Sequence, residues 1–315
     1  MLEKILFMSS SIETLPVLTS LAEGFKTVGL VTHLDAKTGR GQKKTTSLLK
    51  QEAIKKKMPV FQFNNLTSDK TLQTIKEFQP QIILTADFSR FLHTEILSLP
   101  PDGCLNIHPS LLPKYRGPNP IAETILRGDA VAGISIFLMS QIIDAGEILF
   151  QKTVPILQEE TTQTLKKKLF EEISKDLIDI LRKWKERKIT PLPQEEKRAS
   201  YTQKYLKKDG EVDWSLPAEN IERRIRAFYP WPGAWTLWGG KKIKILKARP
   251  LFLKKQGKKG EVFLIKDGKA PKVGIICGSN VLEIETLQVE GKKALFVADF
   301  IRGQQKFLGS VLGET

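Results

Sequence analysis

Asn106, His108 and Asp144 are the residues of this chain best suited to chemistry. The first two sit in Cys104-Leu-Asn-Ile-His-Pro-Ser-Leu-Leu-Pro-Lys-Tyr-Arg-Gly117, and the third opens Asp144-Ala-Gly146. Side chains two apart on a strand share a face, so a strand over Leu105–His108 would aim Asn106 and His108 the same way. Pro109 cannot donate to a sheet ladder and should end that strand. A lone histidine most often serves structure. This one follows Asn106 at the carboxyl edge of a strand, where open α/β sheets bind ligands, and that placement argues for chemistry. An imidazole can take and return protons near neutrality. An amide can donate to a developing oxyanion, although a buried Asn also pins loops. Asp144 could orient the imidazole or form an Asx turn with Gly146. Together the three suit attack on a carbonyl carbon. Ser110 lies in the loop and Cys104 is assigned to the other side of the strand, so neither is taken as the nucleophile, and that role falls to the substrate.

The elements that must position these residues alternate along the chain. Strands are expected at Lys4–Met8, Val28–Val31, Val60–Phe63, Gln81–Thr85 and Leu105–His108, with Gly133–Met139 and Ile148–Val154 flanking Asp144. Helices are expected over Ile12–Phe25, Ser47–Lys57, Thr71–Phe78, Thr94–Leu99, Pro120–Leu126 and Thr161–Arg187. Such alternation predicts a Rossmann-like α/β domain with a mostly parallel sheet over residues 1–189. Thr190–Ser200 is polar with two prolines and reads as a linker, taken as 190–204. Residues 205–315 give a helix at Ala218–Phe228 and five or six short strands with a final helix from Ala298, the pattern of a small OB-like β-barrel. Trp231 and its neighbours read as a packed aromatic corner.

The 315 residues carry a net charge of +15 and a pI near 9.6. Residues 205–315 hold 21 Lys+Arg against 12 Asp+Glu, so +9 of the +15 falls there. This is the footprint of a polyanionic partner or of a Lys-rich solvated surface; charge alone does not separate the two. Cys104 and Cys277 are the two cysteines, too far apart in sequence for a metal-like spacing, and no metal site is expected. Neither a signal peptide nor a membrane span is expected, which suggests a cytoplasmic protein; a monomer is expected. No Gly-x-Gly-x-x-Gly follows the first strand, which argues against a nicotinamide oxidoreductase.

Asn106-Ile-His108-Pro-Ser-Leu-Leu-Pro113-Lys-Tyr-Arg-Gly117 with Asp144-Ala-Gly146 resembles the signature of the folate-dependent formyltransferases. From about residue 2 to the end, the chain is similar to the branch of that family whose acceptor is methionyl-tRNA. Gly39-Arg-Gly-Gln-Lys-Lys44 resembles the basic loop of that branch, and Val212-Asp-Trp-Ser215 with Ile225–Gly233 its C-terminal domain. The resemblance implies 10-formyltetrahydrofolate as formyl donor and initiator methionyl-tRNA as acceptor. It implies Asn106, His108 and Asp144 as the catalytic group, and Ser110, Leu111, Leu112 and Pro113 against the folate. Arg40, Lys43 and Lys44 of the basic loop, with Lys204, would meet the tRNA. The chain departs from the family in three places. Met8-Ser-Ser-Ser11 stands where Gly-Thr-Pro is usual, Ala86-Asp87-Phe88 where Ala-Tyr-Gly is common, and Gln141-Ile-Ile143 precedes Asp144. Two alternatives remain open at this point: an amino-sugar-nucleotide N-formyltransferase, and a non-catalytic RNA-binding relative.

Overall fold

The computed structural model describes residues 4–38, 43–265 and 271–313. The chain divides into two compact units. The first comprises Met1–Pro120, Val131–Pro155 and Leu165–Gln203, and the second Ile121–Ala130, Ile156–Thr164 and Lys204–Thr315.

A seven-stranded sheet organises the first unit. Its strands are β1 (Lys4–Met8), β2 (Lys26–Val31), β5 (Val60–Phe61), β6 (Ile82–Ala86), β7 (Cys104–His108), β8 (Val131–Leu138) and β9 (Ile148–Pro155). Their order is β5-β2-β1-β6-β7-β8-β9. From β5 to β7 every pairing is parallel; β8 and β9 add two antiparallel pairings. Every residue of β6 is buried, as a strand covered on both faces requires. The crossover helices are α1 (Leu15–Gly24), α2 (Leu48–Lys55), α3 (Asp69–Phe78) and α4 (Thr94–Leu97). Their starts are legible locally: the Ser47 and Ser68 hydroxyls accept from the N–H groups of Lys50 and Thr71 and cap α2 and α3. Chain order reverses between β1 and β6, and a doubly wound sheet opens its ligand crevice beyond the carboxyl ends of such strands. Two of the three altered segments, Ser9–Ser11 and Asp87-Phe88, follow those two strands.

The basic segment after β2 contains a short hairpin, β3 (Ala36–Thr38) against β4 (Lys43–Thr45), which the sequence reading took for loop. Its polar residues carry no apolar alternation by which a strand could be read.

The second unit contains α5 (Pro120–Arg127, from Ile121), the start of α6 (Thr162–Lys185), and α7 (Ala218–Ala227). Its sheet follows the path β10 (Ala234–Trp238), β11 (Lys241–Leu251), β14 (Val281–Val289), β13 (Lys272–Ile276) and β12 (Val262–Ile265), with β15 (Leu295–Phe296) beside β14 and α8 (Val297–Gly303) next in the chain. All its pairings are antiparallel. The outer strands β10 and β12 do not pair directly. Instead Gly309 N–H donates to Val262 O (2.8 Å), Leu312 N–H to Gly260 O (2.9 Å) and Gly313 N–H to Leu237 O (3.0 Å). One terminal segment thus covers both edges and gives the sheet its OB-like closed course. Phe300 and Phe307 meet Trp238 edge-on over this core.

The aromatic corner is only partly as expected. Trp214 and Trp235 are buried, but Trp231 is 56% exposed. Phe228 and Tyr205, with ring centroids 4.9 Å apart, fill the corner instead.

Candidate active site

Strand register builds the first part of the site. Asn106 lies opposite Thr85 of β6 and Phe137 of β8. The Thr85 hydroxyl donates to Asn106 Oδ1 at 2.7 Å, which commits the amide oxygen and leaves Nδ2 to donate elsewhere. His108, two residues on, is buried at 5% exposure and meets the Phe137 ring edge-to-face. Its Nε2 lies 3.0 Å from the carbonyl oxygen of Tyr115. A carbonyl only accepts, so this nitrogen carries the proton and donates. Nδ1 faces Asp144 Oδ2 at 3.7 Å. The same carboxylate oxygen accepts from Gly117 N–H at 2.7 Å. The loop 113–117 therefore holds both partners, the imidazole through Tyr115 O and the carboxylate through Gly117 N–H.

Asp144 has φ +52°, in the left-handed region that short polar side chains tolerate best. Gly146 turns the chain back toward β8. A Cβ there would stand 1.7 Å from Leu138 O, so only glycine fits.

The segment Ser110–Pro113 is tied down mostly by its own backbone. Ser135 of β8 donates through Oγ to Ser110 O (2.6 Å) and accepts from Leu112 N–H (3.2 Å). Gln151 of β9 donates to Leu112 O and to Ser135 Oγ, both at 2.9 Å. Ser110 is buried with its hydroxyl on Lys114 O, Leu112 is buried, and Leu112–Pro113 is a cis peptide. Leu111 rests on Gly133, where a Cβ would come within 2.1 Å of it. Ser135 was visible in sequence as the one hydroxyl in an apolar strand, while Thr85 and Gln151 become partners only through register between distant segments.

Cys104 has the same strand parity as Asn106 and His108, contrary to the sequence assignment. Burial removes it from the chemistry: its Sγ lies against Ile96 O and Leu97 O, and desolvation pushes the thiol up to about 12. Asp87, at φ +46°, pairs with Lys166 of α6. His33 approaches Ser89 Oγ at 3.4 Å and the Phe88 ring. Desolvation, with Arg90 nearby, holds its pKa below the usual imidazole value.

Arg40 falls outside the described residues. Lys43 and Lys44 belong to β4, and Lys204 is exposed at the start of the C-terminal part of the second unit. No group of three or more His, Cys, Asp or Glu that could hold a metal is found among the described residues. None of their helices is long and apolar enough to cross a membrane.

Residues 5–181 match the family model described as formyl transferase, and residues 204–305 match the formyl transferase C-terminal domain. The methionyl-tRNA formyltransferase of Roseiflexus castenholzii is 36% identical over 312 residues, 98% of this chain and 99% of the relative. That of Dehalococcoides mccartyi is 38% identical over 317 residues, 98% of each. The chain belongs to the methionyl-tRNA formyltransferase family. In fold, the formyltransferase resembles the crystal structure of HypX from Aquifex aeolicus in complex with tetrahydrofolic acid. There the TM-score is 0.63 at 20% identity, over 98% of this chain and 48% of that one. Relatives named for methionyl-tRNA, matching along nearly the full length, favour neither the amino-sugar nor the non-catalytic alternative.

Proposed function

We infer that this protein transfers a formyl group from 10-formyltetrahydrofolate to the α-amine of initiator methionyl-tRNA, giving N-formylmethionyl-tRNA. The observation that carries the reading is Asn106 and His108 two apart at the end of β7, with Asp144 held opposite His108 by the 113–117 loop. Catalysis falls to residues 1–189 and tRNA binding to 205–315, with 190–204 between them. The protein acts as a cytoplasmic monomer.

The methionyl α-amine attacks the formyl carbon, forming a C–N bond while the carbonyl electrons move onto oxygen. Asn106, held by Thr85 through Oδ1, turns Nδ2 toward that oxyanion. His108 adds a second donor when Nε2–H leaves the Tyr115 carbonyl for the oxyanion, and Asp144 steadies the positive ring from the Nδ1 side. Collapse breaks the bond between the formyl carbon and N10. The amine nitrogen gives up one proton and N10 gains one, and the His108–Asp144 pair lies beside Asn106 to pass it. Ser110–Pro113 forms a wall of the folate site, with Leu111 its half-buried apolar member and the buried residues setting its shape. Arg40, Lys43, Lys44 and Lys204 bind tRNA phosphates.

The test is single-turnover transfer of labelled formyl from 10-formyltetrahydrofolate, with methionyl-tRNA, uncharged tRNA and an amino-sugar nucleotide as parallel acceptors. Label on methionyl-tRNA alone is expected. Label on the sugar, or on no acceptor, overturns the reading.

A further inference from the structure

Gln194 lies in the polar segment after α6, and the formyl-transfer reading leaves it without a role. Its carboxamide is nevertheless satisfied on three sides. Oε1 accepts from Arg116 Nε (3.1 Å), while Nε2 donates to Asp144 O (2.8 Å) and to Gly146 O (2.7 Å). Carbonyls only accept and a guanidinium only donates, so one amide orientation alone fulfils all three bonds. Arg116, 1% exposed, is fixed in turn by Glu196 (2.9 and 3.1 Å) and by the Tyr201 hydroxyl (2.8 Å).

The backbone of the same segment is stitched to the loop that holds the site. Arg116 N–H donates to Ser200 O (2.8 Å), Thr202 N–H to Arg116 O (2.7 Å), and Tyr115 N–H to Ser200 Oγ (2.9 Å). The strap 194–202 therefore touches both halves of the site. It braces the loop that supplies Tyr115 O and Gly117 N–H, and it clamps the turn from which the Asp144 carboxylate projects.

We propose that Gln194 is a positioning residue: by bridging the carbonyls of Asp144 and Gly146 it fixes the left-handed turn and keeps the Asp144 carboxylate against His108 Nδ1. The proposal rests on the reading of His108 and Asp144 as the proton-handling pair. Among the described residues, Asp144 is the one ionisable side chain at ion-pair distance from His108.

The test replaces the donor without changing the length of the side chain, in Gln194→Met, with Gln194→Ala as the second variant should the first fail to fold. The chain has three histidines, so the His108 ring signals can be assigned in an NMR spectrum by their loss in His108→Gln. In the substrate-free variant at fixed pH the His108 ring signals are expected to move, because the Asp144 carboxylate no longer stands at Nδ1, while the His33 and His93 signals stay in place. In steady-state transfer kcat is expected to drop by up to about a hundredfold, with KM for methionyl-tRNA nearly unchanged. His108 signals that stay in place overturn the proposal, whether or not kcat falls, and so does movement of all three histidines, which marks a general loosening. Failure of the wild-type protein to transfer formyl would reject the functional reading alone; the substrate-free spectrum still decides on Gln194.

Discussion

Asn106 illustrates how much of a site depends on a neighbour that carries no signature. Its amide points usefully only because the Thr85 hydroxyl occupies Oδ1. Thr85→Val removes that donor and leaves the half-buried Asn106 Oδ1 unmatched, at a cost of up to about 3 kcal/mol. Where the loss falls on the transition state, the single-turnover rate drops by roughly one to two decades. Affinity for methionyl-tRNA, measured by filter binding, is expected to stay unchanged, and a parallel loss of binding would show that Thr85 supports more than Asn106. The candidate residues Asn106 and His108 were legible in the sequence, because residue type and strand spacing put them side by side. Thr85 was not legible, since its role exists only in the pairing of β6 with β7. The exposure of Trp231 escaped for a related reason. The residues that pack the corner, Tyr205 and Phe228, are 23 positions apart, and nothing local says which aromatic ring is left out.

At the scale of elements, β8 is a scaffold cut to fit one loop. Ser135 and Gly133, two apart on that strand, serve it in opposite ways: the first bonds its backbone and the second leaves room for Leu111. Gly133→Ala would force the Leu111 side chain away, since its Cβ would lie 2.1 Å from Leu111 Cγ. Overpacking of this kind costs typically about 1–3 kcal/mol. The expected result is a lower unfolding midpoint together with a raised KM for the formyl donor; a destabilised protein with an unchanged KM would separate the loop from folate binding. The strands and helices of the α/β sheet were readable from short apolar runs and helical spacing, although α3 begins two residues before the expected Thr71, at Asp69. The β3–β4 hairpin was not, because backbone pairing of polar segments leaves no alternation to read.

For the whole molecule, the sequence indicated two kinds of architecture through a change in rhythm, from strands alternating with helices to closely spaced short strands. It could not indicate that residues 121–130 and 156–164 join the C-terminal unit, which is a matter of tertiary packing. The net charge of +15 also belongs to this scale. Each phosphate neutralised on binding contributes roughly −0.9 to the slope of log affinity against log salt on a duplex, by analogy with DNA. Titrating tRNA binding from low to high salt should therefore give a steep negative slope. A flat response would assign the positive charge to a solvated surface.

The strap has a practical meaning for anyone who would divide this chain. Every side-chain partner of the buried Arg116 guanidinium, namely Gln194, Glu196 and Tyr201, lies after residue 189. An amino-terminal piece ending there would carry an interior cation with no counterpart, whereas one running through Gln203 keeps the bracing of the 113–117 loop.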